Sequence, residues 1–133
     1  MIDRTLHSVL VVDDTEAHRY ATARGLRAAG FNVVEAAGGA EALELVDFVS
    51  AVVLDVHLPD LMGFEVCRLV RSRPNTVRLP VVYVSALYIS REDQDQGMTA
   101  GADAYMVAPV DPQALLATLD HLIGDRGAVH PAH

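Results

Sequence analysis

Three aspartates and a serine, each at or near the end of an apolar run, are the residues of this chain best placed to do chemistry. Asp13 and Asp14 close "SVLVVDD" (8–14), Asp55 lies in "AVVLDV" (51–56), and Ser85 in "PVVYVSA" (80–86). Brought together, three carboxylates repel one another by on the order of a few kcal/mol per close pair at an effective dielectric near 20. Something positive must compensate. A hard divalent cation suits the donors, because Mg²⁺ takes oxygen ligands, keeps several waters and typically uses one or two carboxylates. Acids plus Mg²⁺ point to phosphate chemistry, with Asp55 as a carboxylate nucleophile on phosphorus and the Ser85 hydroxyl as a donor to a phosphoryl oxygen.

That reading needs elements that bring distant residues to one edge. The run at 8–14 reads as a strand covered on both faces, and 15–29 as a helix closed by Gly30. A strand at 32–37, a turn at Gly38-Gly39 and a helix at 40–47 follow. Next come the most apolar strand (51–56), a loop (57–63), a helix (64–73) and a strand (80–86). A polar helix at 91–100, weakened by Gly97, precedes a last strand at 102–107. In "APVDPQALL", Asp111-Pro112 is a helix start, since Asp caps free N–H groups and Pro fits the first position. The helix is expected over 111–123, and 124–133 as a frayed tail or linker start.

Strict strand–helix alternation predicts an α/β fold: a doubly wound five-stranded parallel sheet with helices on both faces. Strand one is expected at its centre, with strands three and four beside it. Such sheets bind ligands beyond the carboxyl ends of their strands, where the three aspartates and Ser85 lie. Strand five ends there too, at Ala108.

The 133 residues suit one domain with a real core, taken as 1–124 with 125–133 as tail. A hydrophobic content of 51% and a charged content of 21% describe a globular chain. No apolar run approaches the roughly 20 residues of a membrane helix, and the start lacks a signal-peptide pattern, so a cytoplasmic location is expected. A net charge of −8 gives no electrostatic footprint for nucleic acid. All ten basic residues are Arg, which removes every Lys-dependent mechanism. The histidines at 7, 18, 57, 121, 130 and 133 show no zinc spacing. Gly38-Gly39 lacks a dinucleotide or P-loop fingerprint, and the lone Cys67 reads as a buried, inert thiol.

The motifs resemble the receiver domains of two-component response regulators over about residues 7–124. "VLVVDD" is similar to the family's first strand and acidic pair, "VVLDVHLPDLMGFEV" to its phospho-acceptor strand and loop, "PVVYVSA" to its hydroxyl-bearing strand, and "GADAYMVAPVDPQALL" to its last strand and helix. The resemblance implies a flavodoxin-like (βα)5 fold and phosphoryl transfer from a histidine kinase or phosphotransfer protein to Asp55. It implies Mg²⁺ held by Asp14, Asp55 and the backbone carbonyl of His57, with Asp13 acting mainly through metal-bound water. Ser85 takes the place of the switch hydroxyl, Tyr105 that of the rotating aromatic, and the bond before Pro109 is often cis. A homodimer through helix four, strand five and helix five, and an output domain in a longer chain, are further implied partners.

One position departs: the family's Lys before that Pro is here Ala108. Three Asp at −3 with Mg²⁺ at +2 leave the site near −1, which predicts slower phosphorylation, stronger Mg²⁺ dependence and a weaker switch. His57 either adds partial positive charge or is a loop residue whose carbonyl matters. Leu87 either hinders attacking water or only packs. Ala108 also raises a second class of function, a pseudo-receiver acting as a constitutive interaction or dimerisation module. A third, an aspartyl phosphatase, is disfavoured because "DVH" lacks a second acid two residues on, and the chain is expected to be a switch and no turnover enzyme.

Overall fold

Residues 2–85 and 91–129 of a computed structural model are described below, apart from the side chains of residues 93 and 127–129. Five strands alternate with five helices: β1 (Ser8–Val12), α1 (Glu16–Ala28), β2 (Asn32–Ala36), α2 (Gly39–Leu45), β3 (Ala51–Asp55), α3 (Gly63–Ser72), β4 (Val81–Ser85), α4 (Arg91–Thr99), β5 (Ala104–Val107) and α5 (Pro112–Val129). All pairings are parallel, in the order β2-β1-β3-β4-β5. The doubly wound sheet is as expected, but its centre is β3 and not β1. The most apolar strand occupies the place shielded on both edges.

Side chains two apart on a strand share a face, and both faces here are cores. Val9, Val11, Val53 and Val82 face Leu26 of α1 and Leu115, Leu119 and Ile123 of α5. Leu10, Val12, Val52, Leu54 and Tyr83 face Ala42 of α2 and Val66, Cys67 and Val70 of α3. A strand buried on both sides cannot alternate apolar with polar, which is why the first and third strands read as continuous apolar runs. Cys67 is fully buried, and burial pushes its thiol pKa up, in keeping with an inert side chain.

The helix ends follow local chemistry. Gly30 closes α1 at φ +110, with Phe31 N–H donating to Leu26 O and Gly30 N–H to Arg27 O, and buried Phe31 packs in the same core as Leu26. Asp111 caps α5 by accepting from the Gln113 N–H. The helix expected to stop at 123 runs to Val129. Gly124 does not end it because tertiary contacts outweigh its propensity: Arg126 pairs with Asp103 and donates to the Arg78 carbonyl. Gly97, expected to weaken α4, is buried instead, and a Cβ there would lie 2.7 Å from the Phe64 ring and 2.9 Å from the Tyr83 ring. It lets α4 approach the sheet. No described helix is long and apolar enough to cross a membrane.

Candidate functional site

β1 and β3 are adjacent and in register, Val12 opposite Leu54, so the residues that follow them emerge side by side. β1 stops at Val12, which frees Asp13 and Asp14 to turn over the sheet edge. Asp13 Oδ1 accepts from the Thr15 N–H at 2.9 Å, setting the turn into α1. Asp55 is the last residue of β3, half-buried, and its Oδ1 accepts from the His57 N–H at 3.1 Å. Asp13, Asp14 and Asp55 each offer a carboxylate oxygen, and these oxygens all lie within 4.8 Å of one another. Three hard oxygen donors at that spacing, two of them half-buried, fit Mg²⁺.

Burial pushes the Asp55 pKa up to about 6; the His57 N–H pulls it down, and the charges of Asp13 and Asp14 push it further up. A cation at this position would remove the charge repulsion. Arg19, on α1, donates to the Asp13 backbone carbonyl at 2.8 Å and to Glu35 at 3.3 Å, so its guanidinium is engaged with other acceptors.

Ser85 ends β4 and is fully buried. Its carbonyl accepts from the Ala108 N–H at 2.8 Å, which draws the residue after β5 beside the acids. The Ala108–Pro109 peptide is cis. Tyr105 is half-buried on β5 opposite Tyr83, their rings edge to face at 5.6 Å. Asp13, Asp14, Asp55, His57 and Ala108 line one cleft; Ser85 ends β4, the strand beside β3, and Tyr105 lies on β5, the next strand out. Leu87 lies outside the described residues.

Two residues escaped the sequence reading. Asp60 reaches from the β3–α3 loop to α2, accepting from the N–H groups of Gly39 (2.8 Å) and Ala40 (2.9 Å). It caps a helix whose own preceding residue, Gly38, has no side chain to do so. Gly63 opens α3 against the backbone of the central aspartate: a Cβ there would lie 2.6 Å from Asp55 O and 2.9 Å from Val56 Cα. A glycine at a loop–helix junction was the available signal for Gly63. Asp60 offered none, since its partners are some 20 residues away.

The chain matches the response regulator receiver domain family over residues 9–120. It is 41% identical over 117 residues to the response regulator MprA of Mycolicibacterium vanbaalenii, covering 86% of this chain and 49% of that protein. It thus spans about half the length of this relative. Among solved structures it resembles a CheY-like response regulator receiver domain protein from Methanospirillum hungatei (30% identity, TM-score 0.83, covering 92% of this chain and 97% of that one). It also resembles the receiver domain of a sensor histidine kinase from Pseudomonas aeruginosa, described with magnesium in its active-site cleft (26% identity, TM-score 0.81, 89% and 98%). With its five-stranded order, its clustered acids at the strand ends and this breadth of likeness, the chain belongs to the response regulator receiver domains of two-component signal transduction.

Proposed function

We propose that Asp55 is the phospho-acceptor, taking a phosphoryl group from the phosphohistidine of a histidine kinase or phosphotransfer protein. The convergence of Asp13, Asp14 and Asp55 carries this reading. Of the three, only Asp55 sits on a sheet strand, the central one, whose pairing on both edges fixes its backbone for in-line attack. An Asp55 Oδ forms the new P–O bond as the P–N bond to the donor imidazole breaks, its electron pair staying on that nitrogen. Asp13, Asp14, Asp55 and the backbone carbonyl of His57 would hold Mg²⁺. When bound, the ion neutralises carboxylate charge and the charge of the incoming phosphoryl group.

Ser85 would donate its hydroxyl to a phosphoryl oxygen, and Tyr105 would follow it as the switch aromatic. The module acts as a switch and passes its state to a partner, a second copy through α4, β5 and α5, or an output domain in a longer chain. Its working unit is the receiver, counted through the end of α5 at Val129 because Arg126 is tied to Asp103, and a cytoplasmic setting suits a kinase partner.

The test is incubation with Mg²⁺ and acetyl phosphate followed by intact mass. One added phosphoryl group, lost in Asp55→Asn, is the expected result. Absence of both the adduct and Mg²⁺ binding would mean a constitutive interaction module, and repeated turnover of a phosphomonoester would mean an enzyme.

A further inference from the structure

The cleft that contains the three aspartates does not end with them. It continues between α1 and α5 as a cavity of about 820 Å³, passing Ala108 and reaching Gly25 and Leu26 on one wall and Leu115 and Leu116 on the other. That is the size range of small-molecule sites, which are largely apolar with a few polar groups that fix orientation. A metal ion would engage the acidic end alone and leave the apolar length empty. The short Ala108 side chain keeps the two parts continuous, and Gly25 widens the groove, with open space where a Cβ would stand.

Charge fixes the class of occupant. The acidic end carries three carboxylates, and among the described residues the other titratable groups lining the cavity are His18 and His57, both exposed. The nearby Arg19 is held by Glu35 and the Asp13 carbonyl. With Mg²⁺ at the acids the formal charge is still −1, so one further positive charge is accommodated with or without the metal. Without the metal, an anionic headgroup would be repelled by the three carboxylates and a neutral one would gain no Coulombic attraction.

We propose that this cavity binds an amphiphilic organic cation, its ammonium group against Asp13, Asp14 and Asp55 and its apolar body along Leu26, Leu115 and Leu116. The carboxylates accept from the ammonium N–H groups as charge-assisted hydrogen bonds. The body covers the apolar floor between the two helices. No phosphoryl transfer is involved, so the proposal stands or falls separately from phosphorylation of Asp55.

The test is titration of the protein, without Mg²⁺ or phosphodonor, with butyl- and hexylammonium and with 1-hexanol, followed by amide NMR shifts. Hexylammonium should bind at least tenfold more tightly than hexanol. Each methylene from butyl to hexyl should add up to about fourfold, the equivalent of about 0.8 kcal/mol. Shifts should appear at Gly25, Leu115 and Leu116 as well as at the aspartates. Ala108→Lys, which tethers an ammonium in the cleft, should weaken hexylammonium at least tenfold. If that variant does not fold, Ala21→Trp on the α1 wall should do the same by filling the groove. Equal binding of the alcohol, no dependence on chain length, shifts confined to the aspartates, or unaltered binding in the folded variants would each overturn the proposal.

Discussion

The backbone N–H of Ala108 donates to the carbonyl of Ser85 at 2.8 Å, so position 108 is held to the end of β4 whatever side chain it carries. A Lys there would extend from this fixed point into the cleft that also holds Asp13, Asp14 and Asp55. Ala108→Lys should therefore lower Mg²⁺ affinity. One added unit charge about 6 Å from a divalent ion is worth on the order of 1.4 kcal/mol at the dielectric of water, or about tenfold. The same variant should make acetyl phosphate labelling less dependent on Mg²⁺ and strengthen the phosphoryl-dependent change. Calorimetric Mg²⁺ titration beside labelling rates checks this; unchanged affinity and labelling would mean that the cation at 108 is unimportant here.

The raised pKa of Asp55 has a consequence for stability. Its folded value near 6 lies above the ordinary 3.8, so between these the folded chain keeps a proton that the unfolded chain has lost. Stability from this group is complete below pH 3.8, falls as pH rises toward 6, and stays lost above it. The metal-free protein should thus gain less stability than Asp55→Asn on going from pH 5 to pH 7.5, and Mg²⁺ should close most of that difference for the wild type alone. Urea unfolding of both proteins at the two pH values, with and without Mg²⁺, provides the measurement.

Gly63→Ala should damage the site from outside it. The new Cβ would lie 2.6 Å from the carbonyl oxygen of Asp55 and 2.9 Å from Val56 Cα, and backbone on the central strand has little room to give. Overpacking of this kind costs about 1–3 kcal/mol. Because the displaced backbone carries the acceptor, labelling of Asp55 should slow along with the loss of stability. Gly25→Ala, with open space around its Cβ position, is the control that should leave labelling intact.

What the sequence made legible was periodic or local. Continuous apolar strands, acids at their ends, Gly30 as a helix stop and Asp111-Pro112 as a helix start each act within a few residues, so pattern alone exposes them. The three-aspartate cluster was legible because strand ends in an alternating α/β chain share one edge. The features missed are set by tertiary contact. Asp60 caps a helix that precedes it in the chain, and Gly97 is needed because two aromatic rings stand over it. The order that puts β3 at the centre depends on which strands pair, and α5 outlasts Gly124 because Arg126 finds an acid on the far side of the sheet edge.

That acid, Asp103, lies just before β5, and its side chain is only 16% exposed. Its Oδ2 accepts from Arg71 of α3 at 3.1 Å and from the Val81 N–H at 2.9 Å, while Oδ1 takes Arg126 of α5. Arg71 also donates to the carbonyls of Gly101 and Leu79. One carboxylate thus joins α3, β4 and the last turns of α5. Asp103→Ala leaves two guanidinium groups and a strand N–H short of their acceptor, and should cost about 2–4 kcal/mol. Arg126→Met removes one arm but keeps the Asp103–Arg71 pair, and should cost no more than about 1 kcal/mol. Its effect should appear as faster hydrogen exchange at residues 124–129, with Mg²⁺ binding and Asp55 labelling unchanged, since the network lies at the other end of the strands from the acids. Equal destabilisation by the two variants would show that the arms act as one unit, and slower labelling in Arg126→Met would show that the far end of α5 is coupled to the site.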